Sequence, residues 1–375
     1  NLILLDGVTI YNPYHCVSST SLFNPYAIKD VNMMMGGFGV EYGGRTSSVL
    51  YISTREGSSK EFHGEIEPGL TSSRMVVEFP VSKNATIMIS ARGYYDLITQ
   101  FLLYSPAYLF DTNISLNWKI NKRNRLSVRY FNSYDYNNLQ FSEYYTYIAN
   151  TFEEEFLEQY DLVYKNRWSN QAVTGILKSI ISPRIYLKTQ VSGSFFTSDN
   201  ISKFDFEFYD EESNRNYKLF YRTAISNKIR DLSAKMMLSA KLNSFNTVLV
   251  GTEYSNYYFG NDITINYFSE GRATREPQLM AHFIEDKIKY GNFMFRAGVR
   301  ISRFGSRHTW YSEPRLNGSY ELFKGFKLKG AWGRYYQFIP SLNTQEYEIS
   351  QFLDYYYPLQ EKTGLCGCFP ECPKL

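Results

Sequence analysis

From Phe62 onward the chain alternates apolar and polar side chains with a period of two, the repeat of an extended strand that shows one face to an apolar medium. Met75, Val77 and Phe79 oppose Arg74 and Glu78, and Ile87, Ile89 and Ala91 oppose Ser90 and Arg92. Ile114, Leu116, Trp118 and Ile120 oppose Asn113, Ser115, Asn117 and Lys119. The cleanest run sets Leu232, Ala234, Met236, Leu238 and Ala240 against Asp231, Ser233, Lys235, Ser239 and Lys241. Leu126 to Tyr130, Ile185 to Val191, Phe293 to Ile301 and Phe326 to Trp332 repeat the pattern, which predicts roughly thirteen strands between Phe62 and Gln337. Each is one-sided and about ten residues long, enough to cross a bilayer with tilt.

The connections between these strands sort into two kinds. Short polar turns fall at Ser82–Asn84, Asn121–Asn124, Ser182–Arg184, Asn243–Asn246, Lys289–Asn292 and Phe323–Gly325. Longer connections fall at Asp96–Phe110, Tyr134–Tyr160, Ser198–Asn214 and Gly260–Arg272. Short turns at one end and long loops at the other are the asymmetry of bacterial outer-membrane barrels, whereas a propeller or sandwich has no reason to sort its loops this way.

Composition sharpens that picture. The chain is 18% aromatic with 34 Tyr, yet its mean hydropathy is negative, and no run of roughly 20 apolar residues is present to make a membrane helix. Apolar side chains toward lipid at every second position, polar ones toward a lumen and Tyr at the interfaces account for the combination. A net charge of +3 gives no reason to expect nucleic acid as a partner.

The first 57 residues are different. Asp6-Gly7 signals a turn after the apolar run Leu2 to Leu5, Asn12-Pro13 opens a second, and Gly36-Gly37 and Gly43-Gly44 mark a tightly folded segment before the short strand Val49 to Thr54. The ordered elements LDGV, Ile28-Lys29-Asp30-Val31, GGFGVEYGGR and LYISTREG resemble the C-terminal part of the plug domain of TonB-dependent outer-membrane receptors, where a turn, a short helix, a glycine-rich turn and an exit strand precede the first barrel strand. Glu313-Pro314-Arg315-Leu316, Gly333-Arg334-Tyr335-Tyr336-Gln337 and Tyr355-Tyr356-Tyr357-Pro358-Leu359 resemble later parts of the same receptors. NPYH, GGFGVEYGGR and the Ala91 to Leu97 run suggest the Bacteroidetes-like type.

The resemblance implies an all-β membrane protein in the outer membrane of a Gram-negative bacterium. Residues 1–60 would be part of an α/β plug, 61–345 an incomplete antiparallel transmembrane β-barrel, and 346–375 a loop and irregular tail. Plugged transporters have about 22 strands, so the expected chain is a portion of a larger receptor, with the first half of the plug and any TonB-contact segment lying upstream. The implied function is active import of a scarce ligand (a siderophore, cobalamin, a glycan or a peptide), driven by the TonB complex of the inner membrane, with outer-membrane lipid and a surface lipoprotein as further partners. A passive porin or surface-binding barrel is the alternative, disfavoured because a diffusive pore is not closed by a folded domain. Ligand contact is expected at the plug apex (Tyr11, Asn12, Tyr14 and His15) and in the long loops at Tyr104, Tyr108, Tyr144, Tyr145 and Tyr147, where rings supply large contact area, with an aromatic girdle facing lipid as the competing role for the loop tyrosines. Glu41, Gly43, Gly44 and Arg45 are expected to pack against the barrel wall.

No catalytic constellation is present. His15, His63, His282 and His308 sit in no G-x-S-x-G or H-E-x-x-H motif, and no glycine-rich loop ends in Lys-Ser or Lys-Thr. Cys366, Cys368 and Cys372 lack the pair spacing and the fourth ligand of a zinc site, and no cofactor is expected. The lumen-facing cations Arg92, Lys119, Arg129, Lys188, Arg296 and Arg300 are expected to solvate the interior and to pair with plug carboxylates such as Asp6, Asp30 and Glu41.

Overall fold

The computed structural model describes residues 1–15, 21–95, 107–148, 155–210, 215–266, 268–305, 309–324, 326–339, 341–343 and 354–356. It holds two main sheets, a small one enclosed on one side by a large curved one.

The small sheet runs in the order β2-β1-β4-β3, built from β1 (Leu2–Leu5), β2 (Val8–Thr9), β3 (Ile28–Met35) and β4 (Ser48–Thr54). Asp6 and Gly7 both take positive φ (52° and 88°), the conformation that a two-residue hairpin turn requires, and Leu5 pairs with Val8 across it. β1 also lies parallel to β4, so the chain between them must cross over. Among its described residues that crossover contains one 3-10 turn, Pro25–Ala27, in which Asn24 caps the N-H of Tyr26 with Pro25 in the first turn. The short helix expected at Ile28–Val31 is instead the start of β3. Ile28 and Val31 are β-branched, and pairing of β3 with β4 from Ile28↔Thr54 to Met35↔Ser48 gives their backbone a sheet partner. Among the described residues the plug portion is therefore strand and turn.

The large sheet follows a continuous antiparallel path of thirteen strands: β5 (His63–Glu67), β6 (Ser72–Ser82), β7 (Ala85–Tyr95), β8 (Ala107–Lys119), β9 (Asn124–Ile148), β10 (Glu155–Ser182), β11 (Ile185–Asp210), β12 (Arg215–Lys241), β13 (Asn246–Ile265), β15 (Gln278–Tyr290), β16 (Phe293–Phe304), β17 (Trp310–Phe323) and β18 (Phe326–Gly333). β14 (Phe268–Arg275) folds back on the far end of β13, and Ser341–Asn343 (β19) pairs with Asp354–Tyr356 (β20) separately. β5 and β18 end the path without meeting, so the wall is an open arc.

All six short turns fall where the polar positions place them. The long connections differ. Most of Tyr134–Tyr160 and Ser198–Asn214 is strand, because β9 to β12 run 25 to 28 residues each. At about 3.3 Å per residue such strands span roughly 80–90 Å, well beyond a bilayer crossing. The period of two continues there with Tyr, Asn and Ser replacing aliphatic side chains, so the backbone ladder continues where the apolar belt stops.

Sidedness follows the alternation. Leu232, Met236 and Leu238 are exposed on the convex face, as are Val173 and Val191, while Ser133, Asp135, Asn137, Asn170 and Asp231 are buried on the concave face. The core lies where plug meets wall. Leu5, Val8, Ile10, Leu22, Phe23 and Ile52 pack on Phe131 and Ala172, and Tyr11 packs with Phe196, Ile229, Tyr257 and Phe338.

Candidate functional site

The plug segment between Gly36 and Arg45 has no regular structure, and its backbone polar groups find partners on the wall. Arg296 donates to Gly37 O (3.1 Å), Arg315 to Gly39 O (2.7 Å) and Tyr42 O (2.6 Å), Arg300 to Val40 O (3.4 Å) and Lys235 to Glu41 O. In the other direction Val40 N donates to a Glu285 carboxylate oxygen at 3.3 Å. Gly36, Gly37 and Gly44 take positive φ, which lets the segment turn its carbonyls outward at low steric cost. The Arg315 guanidinium also lies over the rings of Phe38 (5.0 Å) and Tyr335 (4.5 Å).

Arg300 and Arg315 are buried and Lys235 and Arg296 half-buried, so each gains from a counter-charge. Glu313 accepts from Arg315 at 2.6 Å and from Ser302 at 2.9 Å, and Glu253 meets both Arg300 (3.1 Å) and Lys235 (3.3 Å). Arg296 stands 3.7 Å from Glu285. The result is a wall-side network that pairs its own charges and turns further donors toward plug carbonyls.

Of the expected wall contacts, Glu41 and Gly43 meet this network. Glu41 does so through its backbone, while one carboxylate oxygen is buried without a hydrogen-bond partner. A Cβ on Gly43 would stand 2.6 Å from Arg300 Cζ. Arg45 is buried, donates to Gly44 O (2.8 Å) and helps line a cleft of about 70 Å³ with Tyr11, Asp231, Glu253 and Lys235. Gly44 faces open space.

The apex residues are mostly turned into the wall. The Tyr11 hydroxyl donates to Asp231 at 3.2 Å, and burial followed by the Asp231 charge pushes its pKa well up. Asn12 has φ 49° and its carbonyl accepts from Asn170 at 3.4 Å. His15 Nδ1 lies 2.5 Å from Asp135, with Arg92 Nη2 at 3.0 Å and Asp111 at 3.7 Å from its Nε2. Burial works to lower the His15 pKa, but the bonds to Asp111 and Asp135 outweigh it and the pKa is raised. Tyr14 alone of the four is exposed, at 58%. A further anchor joins Arg129 to Asp6 (2.6 Å), whose carboxylate also accepts from Thr54 N (3.0 Å) and Oγ1 (2.8 Å).

Of the loop tyrosines, Tyr108 lies on the convex face, 52% exposed and stacked on Tyr136 with ring centroids 6.3 Å apart. Tyr144, Tyr145 and Tyr147 fall within β9, and Tyr104 lies outside the described residues, as do Cys366, Cys368 and Cys372. Asp30 is exposed on β3. Glu253, Glu285 and Glu313 were not singled out by the sequence as counter-ions. Their signal was their place on lumen-facing positions, Glu253 opposite Lys235, Glu313 opposite Arg300 and Glu285 one diagonal step from Arg296, with Glu313 inside the Glu313-Pro314-Arg315-Leu316 segment.

A plug sheet seated against the concave face of an antiparallel wall, with long hairpins at one end and tight turns at the other, is shared with solved structures. The peptide importer RagAB in an open-open state matches with a TM-score of 0.63 at 11% identity, over 95% of this chain and 56% of that one. The outer-membrane transporter YddB of Escherichia coli matches at 0.61 and 10% identity, covering 89% and 53%. A mutant ferric enterobactin receptor of Pseudomonas aeruginosa in complex with enterobactin matches at 0.60 and 14%, covering 89% and 54%. The chain has the fold of the TonB-dependent outer-membrane receptors. It spans a little over half the length of the receptors it matches. At the level of sequence, no family model and no curated protein matches. In the TonB-dependent receptor fold, the seam of Arg296, Arg300, Arg315 and Lys235 is the joint between the plug and the barrel.

Proposed function

We propose that the chain is the plug-to-barrel portion of a TonB-dependent receptor that imports a small external ligand across the outer membrane of a Gram-negative bacterium. The grip of wall cations on the backbone of residues 37–42 supports this reading, because it holds a folded domain in the lumen through hydrogen bonds that can be broken and remade. A plug so held closes a diffusive path at rest. Energy from the inner membrane, delivered through TonB, would be needed to displace it. The exposed Tyr14 ring at the apex and the long hairpins above it would make first contact with ligand, and a surface lipoprotein would cap the open end.

The test is single-channel recording from the full-length receptor in planar bilayers. The intact protein is expected to be silent, and a variant lacking residues 1–57 is expected to conduct steadily. Steady conductance by the intact protein would favour the passive pore instead.

A further inference from the structure

Above the plug apex the concave face of the wall changes character. The rung that holds Asp135, the partner of His15, runs Asp135↔Trp168↔Ser198↔Asn227↔Asn261 across β9 to β13. The next rung on the same face, two residues toward the long hairpins, runs Asn137↔Asn166↔Asn200↔Ile225↔Ile263. Three side-chain amides therefore stand abreast on β9, β10 and β11 at the inter-strand spacing of about 4.8 Å, with two more on the rung below.

The hydrogen bonding of these amides is incomplete. Asn137 is 1% exposed, yet neither its Nδ2 nor its Oδ1 has a partner. Asn200 accepts from Trp168 Nε1 at 3.3 Å while its Nδ2 is buried and unpartnered, and Asn227 donates to Ser198 Oγ at 3.3 Å while its Oδ1 is buried and unpartnered. Tyr164, one step further along the same face of β10 from Asn166, adds a buried hydroxyl with no partner. Buried polar atoms without partners are costly to hold, so a face that collects both donors and acceptors in this state favours a molecule that supplies what they lack. The face is also almost uncharged. Its two rungs hold one ionisable group, Asp135, which His15 already occupies. The cations of these strands, Lys165, Arg167, Lys228 and Arg230, take the intervening positions on the opposite face.

An anion brought to these rungs would be desolvated with no cation to meet it, which weighs against an anionic ferric chelate and against the terminal carboxylate of a peptide. Hydroxyl groups carry no charge and both donate and accept, as the free atoms of this face require. We propose that the two rungs bind the imported ligand and that it is a neutral oligosaccharide, whose hydroxyl groups complete the bonds of Asn137, Asn200, Asn227 and Tyr164. The broad χ2 torsion of asparagine lets each amide turn toward a hydroxyl without moving its strand. The exposed Tyr14 ring of the plug apex gives the C-H face of a sugar ring an aromatic surface. The inference rests on the import reading above and names its substrate class.

The experiment applies the full-length receptor, purified in a sugar-free detergent, to a microarray of neutral oligosaccharides with uronic-acid and sialylated ones beside them, then titrates the best-bound neutral oligosaccharide by calorimetry. At least one neutral oligosaccharide is expected to bind. Asn137→Leu removes an amide that bonds nothing at rest, so its melting temperature should not fall, yet it should weaken binding at least about fivefold. Asn200→Asp keeps the acceptor for Trp168 and loses the free donor, and it should weaken binding by a similar factor if Asn137→Leu fails to fold. A control with Arg167→Gln and Lys228→Gln, on the opposite face, should stay within about twofold of wild type. Binding of no neutral oligosaccharide, tighter binding of the acidic ones, of a tryptic digest of casein or of a ferric tris-catecholate chelate, or unchanged affinity in folded Asn137→Leu would each overturn the assignment. A receptor that stays silent in planar bilayers yet takes the chelate or the peptides overturns this inference alone, whereas steady conductance overturns the import reading itself.

Discussion

His15 shows how a single side chain can join two domains and carry a pH dependence with it. Its imidazole belongs to the plug, and the groups around it are Asp135 on β9, Asp111 on β8 and Arg92 on β7, with Arg92 also donating to Ser21 O (2.7 Å) and to Asp111 (2.6 Å). Burial alone would favour the neutral ring, but the two carboxylates prevail and the folded pKa lies above the unfolded value of about 6.5. A group whose pKa is raised on folding contributes stability that is fully present below the unfolded pKa and is lost as pH rises through the folded one. The urea concentration at which the plug of the full-length receptor releases, read as the onset of conductance, should therefore be higher for wild type than for His15→Gln at acidic pH. The gap should shrink toward alkaline pH, and a gap that stays constant would remove the imidazolium from the joint. The sequence placed His15 at the apex beside a proline-fixed turn, which is legible from Asn12-Pro13, but nothing in the local sequence says that a ring 120 residues from Asp135 will be turned into the wall.

At the scale of the element, the glycine-rich loop separates two uses of glycine. Gly44 has φ 75° and no neighbour within 4 Å of an added Cβ, so Gly44→Ala should cost about 1 kcal/mol from backbone strain alone. Gly43 is constrained by contact instead. A methyl there meets the Arg300 guanidinium, which Ser302, Glu253 and Val40 O hold in place, and moving it separates a buried ion pair. Gly43→Ala should cost roughly 3 kcal/mol of plug attachment. Denaturant midpoints of plug release for the two variants in the full-length receptor check the order, and a larger loss at Gly44 would contradict it. Both glycine pairs were visible in the sequence as a tight segment that touches something along its length. The partners were not. The lumen cations read as solvating charges, and Arg129 with Asp6 and Arg125 with Glu56 (3.3 Å) bear out the expected pairing of cation with plug carboxylate. Arg296, Arg300 and Arg315 bond plug carbonyls, groups that no side-chain pattern displays. The helix expected at Ile28–Val31 gave way for a related reason, since the pairing that makes it strand comes from Ser48–Thr54, a dozen or more residues on.

For the whole molecule the alternation was the most legible signal, because a one-residue slip would turn every side chain to the wrong face and the wall therefore has to declare its register in the sequence. Thirteen path strands and six tight turns follow from it. The height of the wall does not, since beyond the apolar belt both faces are polar and strand looks like loop, as in Tyr134–Tyr160. The open path also bears on behaviour. Among the described residues no strand pairs with the outer side of β5 or β18, and in lipid each unpaired backbone group costs several kcal/mol. The 375-residue chain expressed alone and refolded in detergent should give oligomers or aggregate and no heat-modifiable monomer with steady conductance. A stable conducting monomer would mean that the two edges can close on each other.

The grip on residues 37–42 has a consequence for descent. Its hydrogen bonds to the loop end on carbonyl oxygens and one amide, groups that every residue carries whatever its side chain. Substitution can therefore drift through positions such as Val40 and Tyr42 without releasing those bonds, while loss of Arg315 alone breaks two of them at once. Lineages that change what their plug displays keep the glycines that shape the loop, and the wall that holds it is the part they have to inherit.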